Sequence, residues 1–230
     1  MHETGVLSIV GTPIGNLGDI TLRALETLKQ ADAIACEDTR VTAKLLARYD
    51  IKKPLVSYHA RNARAALPRV LALLSEGKRV ALATDAGTPG ISDPGTELVA
   101  LVRERLGDTV RIEVIPGPSA LTAALSIAGL PTSSFVFLGF LPHKKGRQTL
   151  LREVAAEKRA VILYESPHRI LRLLASLAEL LPSGRQVAVC RELTKLHEQV
   201  VTGSARELYE ACTTGGIPAR GEFVVIVGSC

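Results

Sequence analysis

The chain has 230 residues, 47% hydrophobic and 22% charged, with a net charge of +5; this suits one large domain or two modest ones and excludes wholesale disorder. No apolar run is long enough to cross a bilayer, no basic region followed by an apolar stretch opens the chain, and Cys36, Cys190, Cys212 and Cys230 show no CxxC spacing, so membrane insertion, secretion and a disulfide or zinc framework are not expected and the chain reads as cytoplasmic. Residues 1–130 hold 15 basic and 14 acidic side chains against 13 and 9 in residues 131–230, so the second half is better suited to a polyanion such as nucleic acid, although few aromatics are available to stack on bases.

In chain order, VLSIV (6–10) reads as a strand that breaks at GTPIGNLGD. Ile20, Leu22, Leu25 and Leu28 fall near helical spacing and predict a helix over 20–31, capped by Asp19 or Thr21. Strand AIAC (33–36) ends in Glu37-Asp38-Thr39-Arg40, and TAKLLARYD continues as a helix. A helix over 65–76, strand RVALAT (79–84), the loop DAGTPGISDPG, a helix over 95–106, strand RIEVI (111–115), the loop PGPSA and a helix over 119–128 complete this half. Four strands alternating with helices predict an α/β domain over 1–128 with a parallel, doubly wound sheet. GLPTSS predicts a linker over 129–134. In residues 135–230, SFVFLGF, AVILYE, QVAVCRE, EQVVTG and EFVVIVG read as five strands with helices over 147–157, 167–181 and 204–213, a mixed α+β domain.

Loops that follow the strands of an open α/β sheet lie at its carboxyl edge, where ligands bind. GTPIGNLGD sets Gly11, Gly15 and Gly18 after a strand; it is neither a P-loop nor GxGxxG, and a close backbone approach to a nucleotide and a tight structural turn both fit. DAGTPGISDPG, with Asp85 and Asp93, and IPGPSA suit a backbone-lined cleft for an adenosine-like cofactor. Glu37, Asp38 and Arg40 fit a ribose-binding acid or a helix cap with surface ion pairs. His59, Arg61, Asn62 and Arg64, and the run His143-Lys144-Lys145-Gly146-Arg147, fit phosphate contacts or solvated charge. In YESPHR, Ser166 reads as a cap and Pro167 as a helix start, around which Glu165 and His168 are placed. CRELTK sets Arg191, Glu192, Thr194 and Lys195 after a strand, with Glu198 close by; Glu192 and Lys195 fit proton transfer or a simple ion pair. His2, His59, His143, His168 and His197 have no metal-binding spacing, and no GxSxG elbow is present.

Taken in order, TPIGNLGDITLRALETL, EDTRVTAKLL, DAGTPGISDPG, IPGPSALTAALSIAGLP, GFLP, YESPHRI, RELTK and GEFVVIV resemble, from about Leu7 to Gly228, the ribosomal RNA small subunit methyltransferase I family of the tetrapyrrole methylase superfamily. The resemblance implies two α/β domains with S-adenosylmethionine in the cleft between them, and a homodimer. It implies methylation of the ribose 2′-hydroxyl of a cytidine in the decoding region of 16S ribosomal RNA, as naked RNA or in the small ribosomal subunit. Cofactor contacts are implied at Thr12, Pro13 and Gly15, at Asp85, Gly87, Thr88 and Pro89, at Ser119 and Ala120, at Leu163 and Tyr164, and at Gly221 and Glu222. Glu37, Asp38 and Arg40 are the expected catalytic residues, with Glu192 and Lys195 as the rival acid–base pair. His59, Arg61, Asn62, Arg64, His143, Lys144, Lys145 and Arg147 are the expected RNA contacts. Ala63 stands where many members carry Glu, and many members continue beyond the position of Cys230 into a helical extension, which shifts the expected RNA grip toward the basic loop 143–147. A same-fold methylase of a tetrapyrrole and a non-catalytic RNA-binding protein are the alternatives. EDTR and YESPHR argue against the first, and the intact DAGTP and PGPSA loops against the second.

Overall fold

A computed structural model describes residues 4–230 apart from Pro94. His2 and the second proline of DAGTPGISDPG therefore lie outside the described residues. The chain divides into two compact units, Met1–Ser119 and Ala120–Cys230.

The first unit contains β1 (Gly5–Val10), α1 (Leu22–Gln30), β2 (Ala33–Cys36), α2 (Thr39–Arg48), β3 (Leu55–Ser57), α3 (Ala63–Ser75), β4 (Arg79–Ala83), α4 (Gly95–Leu106) and β5 (Val110–Ile115). The sheet is parallel throughout, in the order β3-β2-β4-β1-β5. Its central strands are short runs of Val, Ile, Leu and Ala because both faces are covered. On one face, α1 and α2 bring Leu28, Leu45 and Leu46 against Val10, Ile34 and Ala81. On the other, α3 and α4 bring Val70, Leu74, Leu98 and Val102 against Leu7, Ala35 and Leu82. Thr21 caps α1 by accepting from the Ala24 amide. The sheet has one strand more than the four expected. β3 is only three residues long, between Pro54 and Tyr58, and a run that short carries no readable alternation.

The two cores locate the ligand edge. Connections from β1 and β2 travel along the α1–α2 face, and those from β3 and β4 return along the α3–α4 face. The chain thus leaves β1 and β4, which are neighbours in the sheet, toward opposite faces. That is a topological switch point, and the crevice it opens lies at the carboxyl ends of the two strands.

The second unit contains α5 (Ala120–Ile127), β6 (Phe135–Phe140), α6 (Arg147–Ala156), β7 (Ala160–Glu165), α7 (Ile170–Leu180), β8 (Gln186–Arg191), β9 (Gln199–Ser204), α8 (Ala205–Thr213) and β10 (Phe223–Val227). The sheet order is β6-β7-β10-β8-β9, with β6 and β7 parallel and the other pairs antiparallel. Helices α6, α7 and α8 cover one face, with Leu151, Leu173, Leu177 and Leu208 on Val161, Leu163, Val189 and Val225. Helix α5 packs with β10, so the helix expected to close the first half belongs to the second unit. Ser166 does not cap α7. Its carbonyl accepts from the Arg169 and Ile170 amides to form a turn, and the helix begins at Ile170 with no side-chain cap. Among the described residues no helix is long and apolar enough to cross a membrane.

Candidate functional site

The loops after β1, β4 and β5 meet at the switch point, and glycine is what lets them meet. A Cβ on Gly11 would come 2.8 Å from the Gly117 Cα, and one on Gly117 would come 2.9 Å from the Gly11 carbonyl oxygen. Both obstacles are backbone, so neither can yield. Gly87 has φ +84°, a conformation costly to any residue with a Cβ. It bridges to Thr12, donating its amide at 3.2 Å and accepting from the Thr12 amide at 2.9 Å. The Thr12 hydroxyl donates to the Thr84 carbonyl at 3.1 Å, and the Thr88 hydroxyl to the Pro118 carbonyl at 3.2 Å. Asp93 closes the far end of the second loop by accepting from the Gly90 and Gly95 amides, each at 2.8 Å. The outcome is a rim made largely of backbone, in which Asp85 is an exposed carboxylate.

Asp85 Oδ1 accepts from the Asp38 amide at 3.0 Å, which ties the loop after β4 to the end of β2. Partial loss of water around this exposed residue first, and then the Asp38 charge, push the Asp85 carboxyl above its ordinary value against the pull of that hydrogen bond. Glu37 is pushed up as well, by burial and then by the charges of Asp85 and Asp93. Asp38 goes the other way. It accepts from the Arg40 amide at 2.8 Å and from the Arg40 guanidinium at 3.0 and 2.6 Å, which hold it well below the usual carboxylate range. A carboxylate with a raised pKa is the stronger base, so Glu37 is equipped to accept a proton and Asp38 is not. After β3, the Asn62 amide donates to the Ser57 carbonyl at 3.1 Å and its oxygen accepts from the His59 amide at 2.8 Å. That leaves Arg61 and Arg64 as the exposed cations of the segment.

In the second unit, Glu165 is fully buried between two arginines. Arg147 approaches at 3.4 Å and Arg169 at 2.7 Å, with side chains 2% and 15% exposed. Arg169 also donates to the Leu141 carbonyl at 2.8 Å. One carboxylate thus fixes both ends of the loop 141–147. At the end of β8, Glu192 and Thr194 both have positive φ, +50° and +65°. Glu192 Oε1 accepts from Lys195 Nζ at 2.8 Å and from the Glu222 amide at 2.9 Å, and Lys195 also reaches Glu222 at 3.0 Å. Gly221 makes room for this cluster; a Cβ there would lie 2.5 Å from Glu192 Oε1. Burial works against both charges, but the hydrogen bonds outweigh it, holding Glu192 below and Lys195 above their ordinary values. Both shifts move away from neutrality, so the rival pair is a locked ion pair.

The family model described as Tetrapyrrole (Corrin/Porphyrin) Methylases matches residues 6–209. A Thermotoga maritima protein named ribosomal RNA small subunit methyltransferase I is 48% identical over 203 residues, covering 88% of this chain and 90% of that protein. One of the same name from Synechocystis is 49% identical over 224 residues, covering 97% and 78%. The chain belongs to the ribosomal RNA small subunit methyltransferase I family of tetrapyrrole methylases. The crystal structure of uroporphyrin-III-C-methyltransferase from Thermus thermophilus shares its fold, with a TM-score of 0.68, 24% identity and coverage of 97% of this chain and 94% of that one.

Against the contacts implied for a methyltransferase of this family, the structure sorts the residues. Pro13, Gly15, Asp85, Gly87, Thr88, Pro89 and Ser119 all lie in the three loops at the carboxyl edge of the first sheet, and Ala120 opens α5. Four expectations need correction. Thr12 is 1% exposed and its amide, carbonyl and hydroxyl are engaged by the second loop, so it braces the rim. The Leu163 side chain sits in the core beneath α6 and α7, leaving only its backbone; half-buried Tyr164 points to the other face of the sheet. Arg147 is buried on Glu165 and cannot touch RNA, whereas His143, Lys144 and Lys145 are exposed. Asn62 is likewise engaged within its own loop. Gly117 and Thr84 hold the rim together without having been singled out in the sequence. Only the Gly/Pro density around Gly117 hinted at it.

Proposed function

We propose that this methyltransferase moves the methyl group of S-adenosylmethionine to the ribose 2′-hydroxyl of a cytidine in the decoding region of 16S ribosomal RNA, acting in the cytoplasm as a homodimer. The observation that carries this reading is the adjacency, through the Asp85–Asp38 hydrogen bond, of the glycine-built rim and the raised carboxyl of Glu37. The rim residues fit the cofactor. Touching backbones at Gly11 and Gly117 hold the first and third loops together, and exposed Asp85 beside them retains acceptor capacity for a nucleoside's hydroxyl or amino groups. Gly15, Gly87, Thr88, Pro89 and Ser119 would complete the hold. When bound, the cofactor supplies a sulfonium-borne methyl group that needs neither metal nor redox chemistry. Glu37 accepts the 2′-hydroxyl proton as the oxygen becomes nucleophilic, and Arg61 and Arg64 offer cations for nearby phosphates. Fixing the reacting oxygen in line supplies a large part of the acceleration.

The test is methyl transfer from labelled S-adenosylmethionine to small ribosomal subunits lacking the modification, followed by nucleoside mass analysis. The expected product is 2′-O-methylcytidine, absent with Asp85→Ala, which also binds the cofactor more weakly in calorimetry. Cofactor binding with transfer to a porphyrinoid and none to subunits or RNA would replace this reading with a small-molecule methylase.

A further inference from the structure

The chain has no tryptophan, four phenylalanines and four tyrosines. Three of these few aromatic rings meet at the edge of the second sheet. Tyr164 on β7 forms T-shaped pairs with Phe137, with centroids 5.0 Å apart, and with Phe140, with centroids 5.6 Å apart. Phe137 and Phe140 are three positions apart on β6, so regular alternation would send them to opposite faces. A β-bulge prevents that. Pairing with β7 slips between Phe137 and Gly139, where Gly139 has φ +61°, so Phe137 stands opposite Ile162 and Phe140 opposite Tyr164. Bulges commonly re-aim a side chain in this way. Despite its packing on Tyr164, Phe140 stays 54% exposed.

The next residues are the basic loop. Leu141 and Arg147 are buried at its ends, and Pro142, His143, Lys144, Lys145 and Gly146 between them are exposed. Its two ends are fixed by the Glu165 carboxylate, through Arg147 and through Arg169 on the Leu141 carbonyl. A ring packed on Tyr164 is thus followed, four and five residues later, by two exposed lysines on a loop with anchored ends.

We propose that Phe140, backed by Tyr164, stacks an unpaired base of the RNA, with Lys144 and Lys145 on the phosphates beside it. This rests on the RNA reading above and deepens it. Single-stranded nucleic acid is held by this combination of an exposed aromatic face and cations along the backbone. Every base has a π-face, so the platform grips a strand without selecting its sequence. A protein partner fits less well, since interface centres are depleted in lysine.

The test uses the 230-residue chain and a fluorescein-labelled RNA hairpin of the 16S decoding region, followed by anisotropy at fixed salt. Phe140→Leu is expected to bind about five- to a hundred-fold more weakly, and Phe140→Trp at least as tightly as the parent. An abasic site introduced at each unpaired position in turn should weaken the parent at one position where Phe140→Leu is insensitive. Affinity for S-adenosylmethionine and the sedimentation mass should not change. Parent-like binding by Phe140→Leu overturns the platform. So does a loss of cofactor affinity, which would assign the ring to the cofactor, or a changed mass, which would make it a contact between copies. If the parent chain binds no RNA, the RNA reading itself falls and the platform with it, an outcome distinct from a binding parent with an indifferent variant.

Discussion

Glu37 and Asp38 are consecutive carboxylates with opposite surroundings, and the difference decides which of them can act as a base. Arg40 holds Asp38 ionised far below neutrality, while burial and the charges of Asp85, Asp93 and, least, Asp38 raise Glu37. Glu37→Gln should lower methyl transfer by about 10²- to 10⁴-fold while leaving cofactor affinity unchanged. In the parent, the acid limb of the pH–rate profile should lie above the ordinary glutamate range. A base works only when deprotonated, so activity is present above the raised pKa and is lost as pH falls through it. Asp38→Asn should keep that limb, moved only slightly down, because the Asp38 charge is the smallest of the causes that raise Glu37. Single-turnover transfer against pH reads all of this, and a Glu37→Gln chain with parent-like rates would sink the assignment. The segment EDTR was visible in the sequence as a candidate, but its members could not be ranked. The ranking depends on Asp85 and Asp93, which only the fold brings from the β4 loop to the end of β2. Arg147 was misread for the same kind of reason. In a basic run every member looks solvated until the carboxylate that buries one of them is located.

At the scale of elements, the parallel pair β6–β7 and the loop between β6 and α6 depend on one buried acid. Val161, Leu163 and Glu165 alternate onto the core side of β7. This was the overlooked sequence signal, because an acid on the buried side of a strand requires cations beside it. Glu165→Ala would leave the Arg147 and Arg169 guanidiniums without their carboxylate. Breaking a buried pair in this way costs about 3–5 kcal/mol, which in a chain of this size lowers the thermal midpoint by on the order of 10 °C. Calorimetry checks it, and a midpoint equal to the parent's would show that the arginines find other acceptors. The RNA affinity of a still-folded Glu165→Ala chain should fall too, because the loop 141–147 loses its anchors. The glycine-rich loops show the same limit of local reading. Their composition announced tight turns, but the demand for glycine at 117 comes from Gly11, at the end of a strand paired with β5.

For the whole molecule, strand–helix alternation is a local pattern, and it made the doubly wound first half and the mixed second half legible. Strand order is not local. β4 lies between β2 and β1 through pairings such as Ala33 with Val80 and Val6 with Arg79, and the switch point follows from that order. Net charge is also only a first approximation to a binding surface. Of the basic residues in the second half, Arg147, Arg185 and Arg191 are buried, the latter two donating to the Gly228 and Arg220 carbonyls. Lys144 and Lys145 are exposed and adjacent. RNA affinity should therefore fall steeply with salt, and a Lys144→Ala/Lys145→Ala double variant should reduce the slope of log affinity against log salt by about 1.4–1.8, as expected for two phosphate contacts. Phe140→Leu should shift the line without tilting it, because stacking releases no counterions. A titration from low to physiological salt separates the two behaviours, and an unchanged slope in the double variant would place the RNA backbone on another face of the protein.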